Sequence, residues 1–186
     1  GIINYRGWGD ANGWHYPYFH REEVDPGLNN GMLLPIVLSF VCNTGDFGND
    51  YNGSGLDKCF GEVLITGGSL NNPKGAAAMV GPSDLDTDTR FNNIICAVMW
   101  DELLEGRIPE LAPALHAGKQ ALIKEFDDLT VGTTNIVEFY HHIYAVLGDP
   151  SLPVWLGEPR NMIADVEANP TLTSSYVSTV IKDEAS

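Results

Sequence analysis

The residue best placed to do chemistry is Cys42, which ends an apolar run and is followed at once by a polar turn. The run, Leu-Pro-Ile-Val-Leu-Ser-Phe-Val, covers residues 34–41, and Asn-Thr-Gly follows the cysteine. A continuous apolar run of this length predicts a strand buried on both faces, as in a parallel sheet. Because catalytic groups of open α/β sheets gather at the carboxyl ends of such strands, we expect Cys42 to be a nucleophile. The alternative is a buried core thiol.

The chain has three cysteines, an odd number without the spacing of a metal site, which favours free thiols over disulfides. Cys96 lies inside an apolar helical pattern, and we expect it to be a core thiol. Cys59 follows Asp57, a candidate N-cap, and therefore falls in the first turn of a predicted helix. The helix dipole would lower the pKa of a thiol there, so Cys59 is either a rival reactive thiol or a packing residue.

Four short motifs occur in a fixed order along the chain. They are Asn-Tyr-Arg-Gly at residues 4–7, Cys-Asn-Thr-Gly-Asp-Phe at 42–47, Cys-Phe-Gly-Glu at 59–62 and Gly-Asp-Pro-Ser-Leu at 148–152. In content and order they resemble the gingipain family of cysteine peptidases, in the caspase-like clan. The resemblance covers about residues 1–157 and implies the carboxyl-terminal part of a catalytic domain.

One position departs from the family pattern, because Trp8 occupies the slot of the catalytic histidine. A neighbouring imidazole raises the thiolate fraction of the nucleophile and later protonates the leaving amine, a role worth about 10²–10⁴-fold in rate. Indole can do neither, because its N–H is only a donor and does not titrate. The resemblance alone therefore does not establish an active peptidase.

Two replacements for the missing imidazole are open. His15 lies seven residues beyond Trp8 in the same loop and could bring its ring into the cleft as the base. The alternative reading of His15 is a surface histidine beside Trp14. The second replacement is His141 or His142, which lie in a helical pattern of which one residue would pack and the other would be solvated.

The resemblance also implies an oxyanion hole made by the backbone amides of Gly9 and Cys42. This hole does not depend on the side chain at position 8, so the site could hold a carbonyl even without an imidazole. We expect the aromatic residues of the first loop, Trp8 and Trp14, to contact the substrate.

An acidic loop over residues 81–90 follows a predicted strand and should lie beside Cys42 at the same edge of the sheet. Asp84 and Asp86 could pair there with an Arg or Lys side chain of a peptide. The alternative is that Asp88 or Thr89 caps the next helix while the other carboxylates face water.

A second acidic stretch, residues 46–53, has the oxygen-rich, glycine-containing composition of a calcium loop. Its candidate ligands are Asp46, Asn49 and Asp50. The stretch does not match the EF-hand spacing, and the alternative is a solvated turn. Calcium is thus a candidate ligand, while the thiol chemistry itself requires no cofactor.

Strand and helix patterns alternate along most of the chain, which predicts an α/β fold with a mostly parallel sheet flanked by helices. Strands are predicted over residues 2–6, 35–42, 75–81 and 152–156. Helices are predicted over residues 58–66, 91–105, 110–126 and 135–147.

The pattern changes after Pro159. Residues 162–166 and 175–181 alternate apolar with polar and are separated by Asn-Pro, which predicts a hairpin. This tail resembles the start of the immunoglobulin-like β domain that follows the catalytic domain in the family. We therefore divide the chain into a catalytic part, residues 1–157, and a linker with the first strands of the β domain, residues 158–186.

The composition excludes several function classes. Of the 186 residues, 44% are hydrophobic and the formal net charge is −15, so the chain lacks the positive footprint of a nucleic-acid-binding protein. No stretch reaches the roughly 18 apolar residues of a transmembrane helix, and no signal peptide is visible. The resemblance implies a piece of a longer extracellular or cell-surface precursor, whose remainder would be a partner.

The leading functional hypothesis is hydrolysis of peptide bonds by the Cys42 thiolate in a peptide or protein substrate. A different class is also open: a non-catalytic peptide-binding or structural module of a secreted surface protein, disabled by Trp8. A third hypothesis is another acyl transfer by the same thiol, such as transpeptidation.

Overall fold

A computed structural model describes residues 1–48, 57–157, 161–166 and 179–183. The chain forms two compact units, Gly1–Trp155 and Leu156–Ser186. None of the helices in the described ranges has the length and apolar character needed to cross a bilayer.

The described residues contain five α-helices and thirteen short strands. The helices are α1 (Arg21–Gly27), α2 (Phe60–Thr66), α3 (Thr89–Leu104), α4 (Leu111–Phe126) and α5 (Ile136–Ile143). The strands are β1 (Ile2–Tyr5), β2 (Gly9–Asp10), β3 (Gly13–Trp14), β4 (Phe19–His20), β5 (Ile36–Ser39), β6 (Gly68–Ser69), β7 (Asn72–Pro73), β8 (Ala78–Pro82), β9 (Thr130–Val131), β10 (Thr134–Asn135), β11 (Tyr144–Leu147), β12 (Met162–Val166) and β13 (Thr179–Asp183).

A four-stranded sheet with the order β1-β5-β8-β11 forms the centre of the first unit. β1 and β8 run parallel to β5 on either side, and β11 is antiparallel to β8. Every residue of β5 and of β8 is buried, because helices cover both faces of the sheet. The predicted α/β architecture with a largely parallel sheet is confirmed.

The core is divided by the sheet into two clusters. Successive side chains of a strand point to opposite faces, so Ile36 and Leu38 pack with α3, α4 and α5 while Val37 packs with α1 and α2. The sheet is therefore packed on both faces, which fixes the position of the carboxyl end of β5 and of the loop that carries Cys42.

Two parts of the predicted secondary structure were wrong. Residues 144–147 continue the predicted helix in sequence but form strand β11, because antiparallel pairing with β8 and burial of Tyr144 outweigh local helical pattern. The predicted strand 152–156 is absent from the sheet. Its backbone instead bonds to the start of α4, where the Leu111 N–H donates to the Leu152 carbonyl and the Val154 N–H donates to the Pro109 carbonyl.

In the second unit, β12 pairs antiparallel with β13, with Met162 opposite Asp183. Strand β12 matches the first strand of the predicted hairpin, and the described end of the second predicted strand, residues 179–181, lies in β13. Residues 167–178 lie outside the described part of the chain. The assignment of this hairpin to an immunoglobulin-like domain stays a prediction.

Helices α3 and α4 pack closely at Gly118. A Cβ atom added there would lie 2.7 Å from the Ile95 carbonyl oxygen and 3.0 Å from Ile95 Cγ2. Glycine normally costs a helix about 1 kcal/mol relative to alanine, so propensity alone would favour Gly118→Ala. The contact with backbone cannot be relieved by a side-chain rotation, and overpacking of this kind costs about 1–3 kcal/mol.

We therefore expect Gly118→Ala to lower the free energy of unfolding, measured by urea denaturation. Gly27→Ala is the matched control, since its added methyl would lie no closer than 3.9 Å to another atom. A Gly118→Ala protein as stable as the parent would show that α3 and α4 can separate without cost.

Candidate active site

Cys42 lies in the tight loop that follows β5, and its side chain is partly exposed. The next residue, Asn43, has φ of 56°, a left-handed conformation that asparagine tolerates better than most residues. The Asn43 N–H donates to the Asp84 carbonyl and the Gly45 N–H donates to the Pro82 carbonyl, each at 2.9 Å. The prediction that the acidic loop after β8 lies beside Cys42 is therefore confirmed.

The Cys42 sulfur is hydrogen-bonded to Thr87, in that acidic loop. The Thr87 hydroxyl donates to Cys42 Sγ at 3.1 Å, and the thiol faces the Thr87 carbonyl at 4.0 Å. Among the described residues no imidazole nitrogen lies within hydrogen-bond distance of this sulfur. Sequence reasoning missed Thr87, because a contact across 45 residues leaves no local pattern.

The first loop folds into a small antiparallel sheet of β2, β3 and β4. Gly9 pairs with Trp14, and the His15 N–H donates to the Trp8 carbonyl at 2.8 Å. Trp8 and His15 are therefore directly opposite each other. Because opposite residues of an antiparallel pair share a face and have Cβ atoms about 5 Å apart, His15 lies across from the family's histidine slot.

His15 is paired with a carboxylate. His15 Nε2 lies 3.2 Å from Asp10 Oδ2, and both side chains are partly exposed. A carboxylate in this position orients an imidazole. Sequence reasoning did not identify Asp10, although a carboxylate two residues after position 8 falls on the same face of a strand.

Gly9, in strand β2 of the hairpin, faces the residues that follow β5. A Cβ atom there would lie 2.7 Å from the Gly13 carbonyl oxygen and 3.3 Å from Val41 Cγ1, so the close approach requires glycine. Since the His15 N–H donates to the Trp8 carbonyl, position 8 is a hydrogen-bonded position of the ladder. Gly9 then occupies the alternating position, whose N–H points away from β3. Val41 immediately precedes Cys42, and the Gly9 amide is thus in the neighbourhood of the thiol loop.

The two tryptophans predicted to contact substrate have different surroundings. Trp8 is 73% exposed, whereas Trp14 is only 7% exposed. The Trp14 ring stacks on Tyr5 with centroids 4.3 Å apart, and its Nε1–H donates to Ser39 Oγ at 3.0 Å. Trp14 therefore belongs to the core beneath the hairpin, which corrects the expectation of substrate contact.

The acidic loop uses its carboxylates in different ways. Asp88 caps α3, because its Oδ1 accepts from the Arg90 N–H at 2.7 Å. Asp84 Oδ1 accepts from the Asp86 N–H at 2.8 Å, which forms a local turn, and Asp86 is exposed. The alternative prediction that Asp88 is the helix cap is confirmed, while substrate contacts by Asp84 and Asp86 stay predictions.

The candidate calcium loop is only partly described. Asp46 is buried, and Asn43 Nδ2 donates to its Oδ2 at 3.4 Å. Asn49 and Asp50 lie outside the described residues. Within the described ranges, no group of three or more His, Cys, Asp or Glu side chains is arranged to hold a metal ion. The calcium prediction therefore remains a prediction.

Of the other two thiols, only Cys59 differs from Cys42 in burial class. Cys96 is partly exposed like Cys42 and packs against the edge of the core, which corrects the expectation of a core thiol. Cys59 is completely buried and is itself the N-cap of α2, which corrects the expectation of an Asp57 cap. Burial raises the Cys59 pKa to about 11, the opposite of the predicted lowering, because desolvation outweighs the hydrogen bonds from the helix start. Burial also raises the pKa of Cys96.

The remaining histidine candidates lie on α5. His141 Nδ1 is 2.8 Å from the Val137 carbonyl, within its own helix. His142 is largely exposed and has Glu138 as its nearest ion-pair partner at 3.9 Å. Neither is hydrogen-bonded to Cys42, and the same is true of His15. His15 is favoured because it alone lies opposite position 8.

The sequence profile of peptidase family C25 matches residues 1–155. The chain belongs to this family. The predicted resemblance to gingipains is thereby confirmed. Among curated proteins, none matches the chain.

Solved structures confirm that the C25 fold is present. The chain has a TM-score of 0.68 and 20% identity to the Arg-specific cysteine proteinase gingipain R, over 97% of this chain and 39% of that one. It has a TM-score of 0.70 and 22% identity to a complex of the pro- and mature domains of RgpB from Porphyromonas gingivalis, over 97% and 40%. The chain thus spans about two fifths of the length of these relatives.

The differences among the thiols lead to an expected order of alkylation. Cys42 should react with iodoacetamide near neutral pH before Cys96, and Cys59 should react last, because it is buried and its pKa of about 11 leaves little thiolate. Peptide mapping by mass spectrometry after timed quenching measures the order. Denatured protein is the control, in which the three rates should converge. Reaction of Cys59 as fast as Cys42 in the folded protein would contradict this placement of the thiols.

Proposed function

We propose that this protein is a cysteine peptidase that hydrolyses peptide bonds through Cys42. The observation that carries the proposal is the position of Cys42 at the end of the central strand β5 in a C25-family domain. The partly exposed thiol and the loops gathered around it are what a nucleophile at a sheet edge requires.

The reaction would proceed by two acyl transfers. Cys42 gives its thiol proton to His15, and the thiolate attacks the carbonyl carbon of the scissile bond to form a tetrahedral oxyanion, held by the amides of Gly9 and Cys42. Collapse of this intermediate breaks the C–N bond, and the amine leaves with a proton from His15. Water then gives its proton to His15 and attacks the thioester, which releases the acid and regenerates the thiol.

His15 is the proposed general base because it lies opposite position 8 and is paired with Asp10. The family function of that slot would then be supplied from the neighbouring strand of the same hairpin. Hydrogen bonds of catalytic groups are often long without substrate and tighten when it binds. A substrate lying between the hairpin and the β5 loop would provide this ordering.

The proposed substrate is a peptide or protein with a basic side chain near the scissile bond. The exposed Trp8 ring offers a face on which a cation can lie, and Asp84 and Asp86 supply negative charge in the loop beside Cys42. The net charge of −15 would also attract basic peptides. Gingipain R, one of the structural relatives, is described as Arg-specific.

The cellular location and the partner of the proposed enzyme are inferred from the same family membership. We infer an extracellular or cell-surface location, and a longer precursor whose remaining part is a partner of residues 1–157. One relative is a complex of pro- and mature domains, which supports the precursor proposal. The tail would begin an immunoglobulin-like domain, and Asp46 would contribute to a calcium site.

A non-catalytic peptide-binding module is the second candidate function. Trp8 in the histidine slot favours it, as does the placement of Thr87, rather than an imidazole, next to the sulfur. Such a protein would keep the carbonyl-binding amides and the acidic loop but would not complete the cleavage.

Restoring an imidazole at position 8 tests the family geometry. Trp8→His should raise hydrolysis of small peptide amides by about 10²-fold or more, the lower range of general acid–base effects. Trp8→Phe is the matched control, because it removes indole without adding a titrating group, and it should give no such gain. A folded Trp8→His protein without a gain would support the binding-module function.

The proposed base is tested in the full-length protein. His15→Ala should reduce turnover nearly as far as Cys42→Ala, and combining both changes should cost little more, because members of one catalytic unit are not additive. Asp10→Asn should lower turnover by at least about tenfold, since it removes the charge that stabilises the imidazolium.

His116→Ala is the control for loss of a histidine, since His116 lies on α4 and is exposed. Turnover that survives His15→Ala but not Cys42→Ala would exclude His15 as the base. Thermal unfolding of each variant should match the parent, because exposed loop side chains contribute little stability.

A further inference from the structure

The Cys42 sulfur has a hydrogen-bond donor that the proposed mechanism does not use. The Thr87 hydroxyl lies 3.1 Å from Cys42 Sγ, well within the distance for a hydrogen bond to sulfur. Thr87 itself is partly buried and belongs to the loop between β8 and α3. Hydrogen bonds to the charged form of a group favour that form, so a donor at this distance favours thiolate over thiol.

The loop that carries Thr87 is fixed on both sides. On one side, the Asp84 carbonyl accepts from the Asn43 N–H. On the other, the Tyr140 hydroxyl accepts from the Asp88 N–H at 2.7 Å and donates to the Asp88 carbonyl at 3.2 Å. Since Tyr140 is almost completely buried, Thr87 is held by two rigid supports, and its contact with the sulfur is built into the fold.

We propose that Thr87 is a catalytic residue of the thiol site: its hydroxyl donates to the Cys42 thiolate, stabilises the anion and fixes the sulfur in one rotamer. This proposal rests on the proposed function, in which Cys42 is the nucleophile. A hydroxyl would thus supply part of the thiolate stabilisation that an imidazolium at position 8 would otherwise give. Unlike an imidazole, it cannot protonate the leaving amine, so a separate acid is still required.

Several charged or titratable groups share this part of the molecule: Arg6, Asp84, Asp86, Asp88, Tyr140 and Tyr144. Arg6 Nη1 donates to the Phe40 carbonyl at 3.5 Å and is the cation of this group. The acidic loop contributes the three carboxylates. Burial, with smaller contributions from neighbouring charges that include Cys42, raises the pKa of both tyrosines, so they stay neutral. Thr87 donates without adding charge, and its effect can be separated from these groups by substitution.

The test is the pH dependence of iodoacetamide alkylation of Cys42 in the full chain, with Thr87→Val, Thr87→Ser and the parent compared. Thr87→Val keeps the shape of the side chain but loses the donor. We expect it to slow alkylation by about three- to tenfold at pH 7 and to move the midpoint of the rate profile to higher pH. Thr87→Ser should restore the parent profile. Thr89→Val is the matched control two residues away and should leave it unchanged.

An unchanged midpoint in a folded Thr87→Val protein would overturn the proposal, and so would slower alkylation at every pH without a shift. Thermal unfolding and the alkylation rate of Cys96 establish that the variants are folded. The alkylation rate of Cys42 can be measured whether or not the chain hydrolyses peptides. A shifted midpoint in a chain without peptidase activity would therefore support the role of Thr87 while contradicting the proposed function.

Discussion

The site depends on backbone hydrogen bonds that hold two neighbouring segments together at the carboxyl end of the parallel sheet. Backbone hydrogen bonds from Asn43 to Asp84 and from Gly45 to Pro82 join the loop after β5 to the end of β8 and the loop that follows it. A Cβ atom on Gly45 would lie 2.8 Å from the Gly81 carbonyl oxygen, so the loop can approach β8 this closely only with glycine there. Because the strands beneath are buried on both faces, the junction holds the nucleophile and its neighbouring hydroxyl at a fixed separation.

The first-loop hairpin offers a physical route by which a catalytic imidazole can change its position in the sequence. Opposite residues of an antiparallel pair share one face, so a histidine at position 15 occupies nearly the same region as one at position 8. The buried Trp14 and the Tyr5 hydroxyl, which donates to the Trp8 carbonyl at 2.9 Å, fix the hairpin from below. Asp10 then completes a pair with His15 on the outer face.

Sequence reasoning identified the features that long apolar runs and ordered motifs encode. Strand β5, the placement of Cys42 at its end and the family followed from residues 4–7, 34–47 and 148–152. It missed what depends on tertiary contacts. The two-residue strands of the first loop have no periodicity to detect, and the Thr87 contact joins loops far apart in sequence. Residues 144–147 were misassigned because sheet pairing outweighed local propensity. The packing alternative for Cys59 agrees with its burial, whereas the predicted lowering of its pKa was wrong because desolvation outweighs the helix start.

The central claim, that Cys42 attacks a carbonyl held at the end of β5, is tested most directly by covalent trapping. A peptidyl chloromethyl ketone ending in arginine places a carbonyl in the site while the thiolate displaces chloride from the adjacent carbon. Intact-mass analysis and peptide mapping should show one adduct, on Cys42, that forms faster than alkylation of the same thiol by chloroacetone, which carries the same reactive group without the peptide, and that is slowed by competing peptide. An adduct formed no faster than with chloroacetone, and not affected by peptide, would contradict the account.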